Sequence, residues 1–268
     1  MSTQIHPSAL VDSSIDLGVE VRVGPFAIIE SGCVIGDYCE IRAHAVICKG
    51  TLMGPHNQIG YGAIIGAEPQ DYAYKGGRSW VEIGSGNKIR EYVTIHRASK
   101  EESATSIGND NFLMGGVHVG HDAEIGNHAI LANNTLLSGY VEVEDGAFLG
   151  GATVIHQHTR IGKLAITRGG TRLGKDVPPF FMATDTNEVS GINRIGLRRA
   201  GLSHETRRSI QAAYELLYRS DLNVSQALEE LRHKFHIPEI AHLAAFIQAS
   251  KRGICREARG PRTEEEEE

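Results

Sequence analysis

Aliphatic side chains recur along this chain at every sixth residue. Between Ile5 and Leu173 there are 29 such positions; only Asp71, Gly77, Glu101 and Thr167 among them are not apolar, which leaves 25. With 41% hydrophobic residues overall, a random order would place about 12 apolar residues there. A period of six is neither the 3.6 of an amphipathic helix nor the plain alternation of a flat strand. It fits a β-helix whose wall turns a corner after each short strand. Two residues before each aliphatic lies a second inward position, because strand side chains alternate. That position is mostly small: Ala9, Ala27, Cys33, Cys39, Ala45, Ala63, Ala123, Ala129, Ala147 and Ala165. Large aliphatics fill the interior and small residues let the corners close. Glycine often follows the aliphatic, as in Ile35-Gly36, Ile59-Gly60 and Ile125-Gly126, where the turn is expected to require a positive φ.

The beat lapses twice and resumes in phase, as it would around loops extruded from a regular wall. Residues 67–80, AEPQDYAYKGGRSW, are polar and glycine-rich, and residues 99–106, SKEESATS, form a plainer interruption. A loop kept beside a regular wall is a candidate carrier of binding groups. After about residue 186 the period becomes helical. SHETRRSIQAAYELLYRS sets Ile210, Ala213, Tyr214, Leu217 and Tyr218 on one face, with Ser203 as its N-cap. A second helix is expected in SQALEELRHKF and a third in PEIAHLAAFIQASKR, where Pro238 suits a first turn. The expected division is a β-helix over 1–186, a helical cap over 187–258 that covers its open end, and a disordered acidic tail over 259–268.

Composition narrows the picture further. Aromatics make up 6% of the 268 residues, while there are 31 glycines, which suits thin, tightly turning walls. A formal net charge of −6 exerts no overall pull on nucleic acid. No apolar run approaches membrane-spanning length and no leader opens the chain, so an expectation of a cytoplasmic protein follows. Cys33, Cys39, Cys48 and Cys255 have no metal-type spacing; Cys33 and Cys39 fall on inward positions and read as core fillers.

Chemistry concentrates in GGVHVGHDAEIGNHAILANN, residues 115–134. If three hexads make one coil, residues eighteen apart stack on one wall, about 4.8 Å per coil. His121, Gly139 and Gln157 then form a column, with His118, Tyr140 and His156 within three positions of it. His121 beside Asp122 points to a general base supported by a carboxylate. A backbone N–H at Gly139 can face the oxyanion of a tetrahedral intermediate. The plainer alternative is a polar surface ladder between aliphatics, and periodicity alone leaves both open.

The hexapeptide pattern resembles the left-handed parallel β-helix of hexapeptide-repeat transferases; the handedness comes from that resemblance. The gamma-class carbonic anhydrases place three-histidine zinc sites on this architecture, but with a five-residue step where His118 and His121 are three apart. No metal site is expected. A more specific likeness lies in HVGHDAEIGNHAILANN, REYVTIHRAS, DNFLMGG, VIHQHTRIG, DVPPF and GINRIGLRRAGLS. These resemble the UDP-N-acetylglucosamine O-acyltransferases of lipid A synthesis, over nearly the whole chain to about residue 258.

The resemblance implies a mainly β fold and transfer of an (R)-3-hydroxyacyl group from acyl carrier protein to the 3-hydroxyl of UDP-N-acetylglucosamine. It also implies a homotrimer with sites between prisms, and no cofactor beyond the donor's phosphopantetheine. By motif, His121 would be the base, Asp122 its supporting acid and Gly139 the oxyanion amide. His118, Gln70, Asp71, His96, His156, Gln157, Asn193 and Arg199 would contact acceptor, donor or carrier, and Gly169 would leave room for a long acyl chain. Four positions depart from the family pattern: Ala73 replaces a lysine, Tyr140 a histidine, Ile195 an acid and Ala200 an arginine. Several of these are acceptor-side contacts, so a 3-amino sugar analogue is an alternative acceptor. A noncatalytic nucleotide-sugar-binding trimer and a zinc-dependent lyase are the rivals from other classes. Arg198, Arg199, Arg207, Arg208 and Arg219 form an expected platform for the acidic carrier.

Overall fold

Strands of two to four residues alternate with tight turns from Gln4 to Leu173 in the computed structural model, which describes residues 2–258. The tail expected over 259–268 lies outside the described residues. Consecutive strands fall on three different sheets, and each pairs in parallel with the strand one coil away: Ile29 with Ile47, Ile35 with Met53, Ile41 with Ile59. The result is a three-sided left-handed parallel β-helix. Its first face begins at Gln4–Ile5, its second at Leu10–Val11 and its third at Asp16–Leu17.

The repeating aliphatics point into the prism. From Val23 onward those in the strands are at most 4% exposed, and each such burial contributes about 1.5–3 kcal/mol. Thr167 occupies one of these slots without a polar penalty: its hydroxyl meets Thr153 Oγ1 at 2.8 Å and accepts the Gly150 N–H at 2.9 Å. Cys33 and Cys39 are buried, and burial pushes the Cys33 thiol up to about 11. One corner carries an internal asparagine ladder that the periodicity did not announce. Asn57 Oδ1 accepts from the Asn87 backbone and amide at 2.9 and 3.0 Å, and Asn87 Oδ1 accepts the Asn111 N–H at 2.9 Å.

The expected role of the post-aliphatic glycines is corrected. Positive φ lies two residues further on, mostly at non-glycine positions such as Tyr38 (57°), His44 (62°), Asp122 (57°) and Tyr140 (58°). Gly36 serves close approach instead: a Cβ there would come within 2.6 Å of the Gly54 and Pro55 backbone of the next coil.

The first polar insertion leaves the wall between strands Ile64–Ala67 and Trp80–Ile83; the second lies between Ala98 and strand Ala104–Ile107. Beyond Leu173, strands Phe181–Thr184 and Glu188–Ile192 form an antiparallel hairpin on the first face. Helical sequence therefore starts later than the change of period implied. Four helices follow: α1, Arg194–Arg199; α2, His204–Tyr218; α3, Val224–Lys234; and α4, Pro238–Gln248. The short α1 was not anticipated. Ser203 caps α2 by accepting the Thr206 N–H, and Tyr214 packs edge-on against Phe181 at 5.2 Å. Thus α2 packs on the hairpin, α4 lies beside the third face with His242 2.8 Å from Glu144 and Phe246 under Arg160, and Arg256–Glu257 returns to pair with Glu188–Val189.

Candidate active site

The corner that follows the second face gathers most of the expected chemistry. Val119, Leu137 and Ile155 are paired neighbours inside that face, so His121, Gly139 and Gln157, each two residues later, come to one edge. Backbone bonds hold the levels together: Tyr140 N–H to His121 O at 2.9 Å, and His158 N–H to Gly139 O at 3.2 Å.

His121 is 8% exposed, and its Nδ1 lies 2.8 Å from Asp122 Oδ2. The same carboxylate oxygen accepts the Ser99 N–H at 2.9 Å and the Ser99 hydroxyl at 2.7 Å. Burial raises the Asp122 pKa, but hydrogen bonds from the Ser99 backbone, His121 and the Ser99 hydroxyl outweigh it and hold the carboxyl below its usual range. An anionic Asp122 accepts a hydrogen bond from Nδ1–H, which leaves the Nε2 lone pair free. Gly139 is buried directly beside the imidazole, where a Cβ would stand 2.6 Å from Nε2. The amides of Ser138 and Tyr140 bond to neighbouring coils. The Gly139 N–H donates no hydrogen bond among the described residues.

Two further histidines complete the cluster. His118 Nδ1 meets Thr94 Oγ1 at 2.8 Å, and its ring contacts His96 edge-on at 5.0 Å. Burial, then the neighbouring His118 and His121, push His96 down to about 4; burial and His121 lower His118 as well. Both are neutral near pH 7 and act as hydrogen-bonding groups rather than charges. Among the described residues the buried His96 Nδ1 has no hydrogen-bond partner. Tyr140 lies edge-on to His121 at 5.3 Å and stacks on His158 at 4.6 Å. Its hydroxyl is 3.0 Å from Ser99 Oγ.

The other expected residues are spread around this centre. His156 and Gln157 stand one coil beyond Gly139, with Arg252 of the C-terminal segment 3.4 Å from His156 Nδ1. Gln70 is exposed and Asp71 closes a turn by accepting the Ala73 N–H at 2.9 Å. Their loop springs from the same edge two coils before His121 and is stapled by Arg97 to Gly66 O, Glu68 and Tyr74. Gly169 follows the first face and so lies at the opposite edge of the second. Asn193 is engaged within the chain: it caps α1 through Gly196 N–H at 3.0 Å and donates to Leu164 O at 2.8 Å. Arg199 is exposed on α1. Within one chain, Gly169, Asn193 and Arg199 do not join the histidine cluster. Ser99 was missed by sequence reasoning, because it sits in an insertion where the coil arithmetic has no column to place it in. Arg219 leaves the expected basic platform, since its Nε is paired with Glu257 at 2.7 Å.

Comparison with known proteins agrees with this geometry. A family model described as Udp N-acetylglucosamine O-acyltransferase, domain 2, matches residues 176–255. Bacterial transferase hexapeptide repeats match 18–49 and 104–139. The acyl-[acyl-carrier-protein]–UDP-N-acetylglucosamine O-acyltransferase of Ectopseudomonas mendocina is 49% identical over 257 residues, covering 95% of this chain and 100% of the relative. The Synechocystis relative of the same name is 45% identical over 195 residues, covering 72% and 71%. A solved UDP-N-acetylglucosamine acyltransferase from Bacteroides fragilis superposes with a TM-score of 0.91 at 42% identity, covering 94% of this chain and 100% of that one.

Proposed function

This chain belongs to the UDP-N-acetylglucosamine O-acyltransferase family, and on that premise we propose that His121 is the base with which it acylates the sugar. The reaction takes an acyl group from acyl carrier protein to UDP-N-acetylglucosamine, the first step of lipid A biosynthesis. The donor is read as an (R)-3-hydroxyacyl chain and the acceptor atom as the 3-hydroxyl. No cofactor is required beyond the phosphopantetheine that carries the donor.

One observation carries the mechanism: the imidazole packs directly on Gly139, whose N–H donates no hydrogen bond among the described residues. His121 Nε2 takes the proton of the sugar hydroxyl as its oxygen attacks the thioester carbonyl. The carbonyl π electrons move onto oxygen, and the Gly139 N–H stabilises that oxyanion. Collapse re-forms the carbonyl and breaks the carbon–sulfur bond, and the imidazolium returns its proton to the departing thiolate. Asp122 stays an anion throughout and steadies the imidazolium. His96 and His118, both neutral, line the approach as hydrogen-bonding groups for the acceptor, and Gln70, Asp71, His156 and Gln157 extend it along the same edge.

The remaining assignments concern assembly. The second face presents a stripe of exposed aliphatics, Leu10, Ile28, Ile64, Leu136 and Val154, of the kind that marks a protein interface. It supports a homotrimer in which Gly169, Asn193 and Arg199 approach the His121 edge of another copy. No described helix is long and apolar enough to cross a membrane, and a cytoplasmic location is the reading that suits an acyl-carrier substrate. The decisive experiment incubates purified protein and its His121→Ala variant with hydroxyacyl carrier protein and a panel of UDP-sugars, including the 3-amino analogue. Acyl-UDP-N-acetylglucosamine from the parent only is the expected result; equal turnover by the variant removes His121 from the role of base.

A further inference from the structure

We propose that Ser99 is a positioning residue for acyl transfer, holding Asp122 as the acceptor of His121 Nδ1–H so that Nε2 stays free for the sugar hydroxyl. The proposal rests on the reading of His121 as base.

Three donors converge on a single carboxylate oxygen. Asp122 Oδ2 receives the Ser99 N–H at 2.9 Å, the Ser99 hydroxyl at 2.7 Å and His121 Nδ1 at 2.8 Å. Among the described residues the other oxygen accepts only the distant Ser103 hydroxyl, at 3.4 Å. The Ser99 amide can only donate. Against burial, it acts with His121 and the Ser99 hydroxyl to hold the carboxyl below its usual range, so Oδ2 accepts as a carboxylate. The proton between Asp122 and His121 therefore sits on Nδ1, which fixes the tautomer.

The chain of donors extends one residue further. The Ser99 hydroxyl has one proton, spent on Asp122, so its oxygen accepts from the Tyr140 hydroxyl at 3.0 Å. Tyr140 donates to Ser99, Ser99 to Asp122, and His121 donates to the same carboxylate from the other side. The two ends of this chain touch, because the Tyr140 ring lies edge-on to His121 at 5.3 Å. Tyr140 is itself held between His158, stacked at 4.6 Å, and Lys100, whose Nζ is 4.9 Å from the ring centroid. Ser99 and Lys100 arrive on the insertion after Ala98, from the preceding coil. The dyad is thus braced from outside the repeating wall, where the hexad pattern supplies no rigid support.

The sign of the effect follows from charge. The titratable groups facing His121 are Asp122, His118, His96 and Tyr140, with Lys100 and His158 beyond the tyrosine ring. Removing the Ser99 hydroxyl takes one donor from Asp122 and the acceptor from the Tyr140 hydroxyl, and of the two only Asp122 is bonded directly to His121. A carboxylate with one donor fewer is more basic and stabilises the imidazolium more strongly. The base then becomes protonated at higher pH, and the acid limb of the rate profile moves upward.

The test measures kcat, both KM values and the pH profile for Ser99→Ala, Ser99→Thr, Tyr140→Phe and His121→Ala with acyl carrier donor and UDP-N-acetylglucosamine. In Ser99→Ala, kcat should fall between about 10- and 100-fold, with both KM values held and the acid limb raised by up to about one pH unit. Ser99→Thr should restore both. A defect in folding alone would lower the active fraction and leave the limb in place. An unmoved limb in Ser99→Ala, or a threonine variant that behaves like alanine, overturns the proposal. Should Ser99→Ala fail to fold, Tyr140→Phe decides it: a smaller upward shift supports the relay and an unmoved limb overturns it. Full turnover in His121→Ala sinks the base assignment itself. An inactive His121→Ala beside an unaffected Ser99→Ala sinks only the role of Ser99.

Discussion

His121 occupies the space that any side chain at position 139 would need: a Cβ on Gly139 would stand 2.6 Å from the imidazole Nε2 and 3.0 Å from Nδ1. The φ of Gly139 is not in the left-handed region, so the backbone itself would accept alanine. Closeness to the imidazole is therefore the reason for glycine here. Gly139→Ala should push the imidazole off Asp122 and away from the Gly139 amide proposed to bind the oxyanion, lowering kcat by about 100- to 1,000-fold. Thermal unfolding should change far less, because the displaced ring can turn toward solvent. Parental turnover by Gly139→Ala would show that this contact has no catalytic meaning.

His96 makes stability depend on pH. Its folded pKa, about 4, lies below the ordinary 6.5 because burial disfavours the charged ring. Between those values the unfolded chain binds the proton and the folded one does not, so native stability is whole above pH 6.5 and is lost as pH falls toward 4. A shift of this size corresponds to about 3 kcal/mol. His118 acts in the same direction. Urea unfolding at neutral pH and near pH 5 should show the loss, and His96→Gln should flatten it. An equal loss in the variant would place the sensitivity elsewhere.

The asparagine ladder supports the corner between the third and first faces. Asn87 links Asn57, Asn111 and the Gly108 carbonyl, which its amide reaches at 2.9 Å. Asn87→Ala would leave these buried groups short of partners, at about 1–3 kcal/mol for each unsatisfied group. The urea midpoint should fall while turnover per folded molecule holds, since this corner is not the one that carries His121. An unchanged midpoint would mean that water satisfies the freed groups.

Periodicity made the prism legible because each hexad obeys the same two constraints, an aliphatic inward and a small residue beside the corner. His121, Gly139 and Gln157 were legible as a column for the same reason: register converts a spacing of eighteen residues into adjacency. Ser99 was not, since an insertion breaks the count that would align it with Asp122. The left-handed turn positions escaped too. Their backbone strain is met by residues such as Tyr38, which stacks on His56 at 4.9 Å, and residue type alone does not reveal that support. Gly169, Asn193 and Arg199 were expected from family likeness, and one chain leaves them at other edges. The proposed trimer would bring them to the His121 edge of another copy.

The carrier platform is the least enclosed part of the proposed function. Arg208 and Arg198 are exposed and Arg207 is half-buried on α1 and α2, and among the described residues none of these three has an ion-pair partner. Unpaired cations on one short helical surface raise the encounter rate of an acidic partner more than they strengthen the final complex. Replacing Arg207 and Arg208 by Glu should therefore raise KM for the carrier-bound donor by about 10-fold at low salt, an effect that screening reduces as ionic strength rises. A donor presented on free pantetheine carries no protein surface, and its KM should not move. Equal changes for the two donors would assign these arginines to the acyl or nucleotide site instead of the carrier.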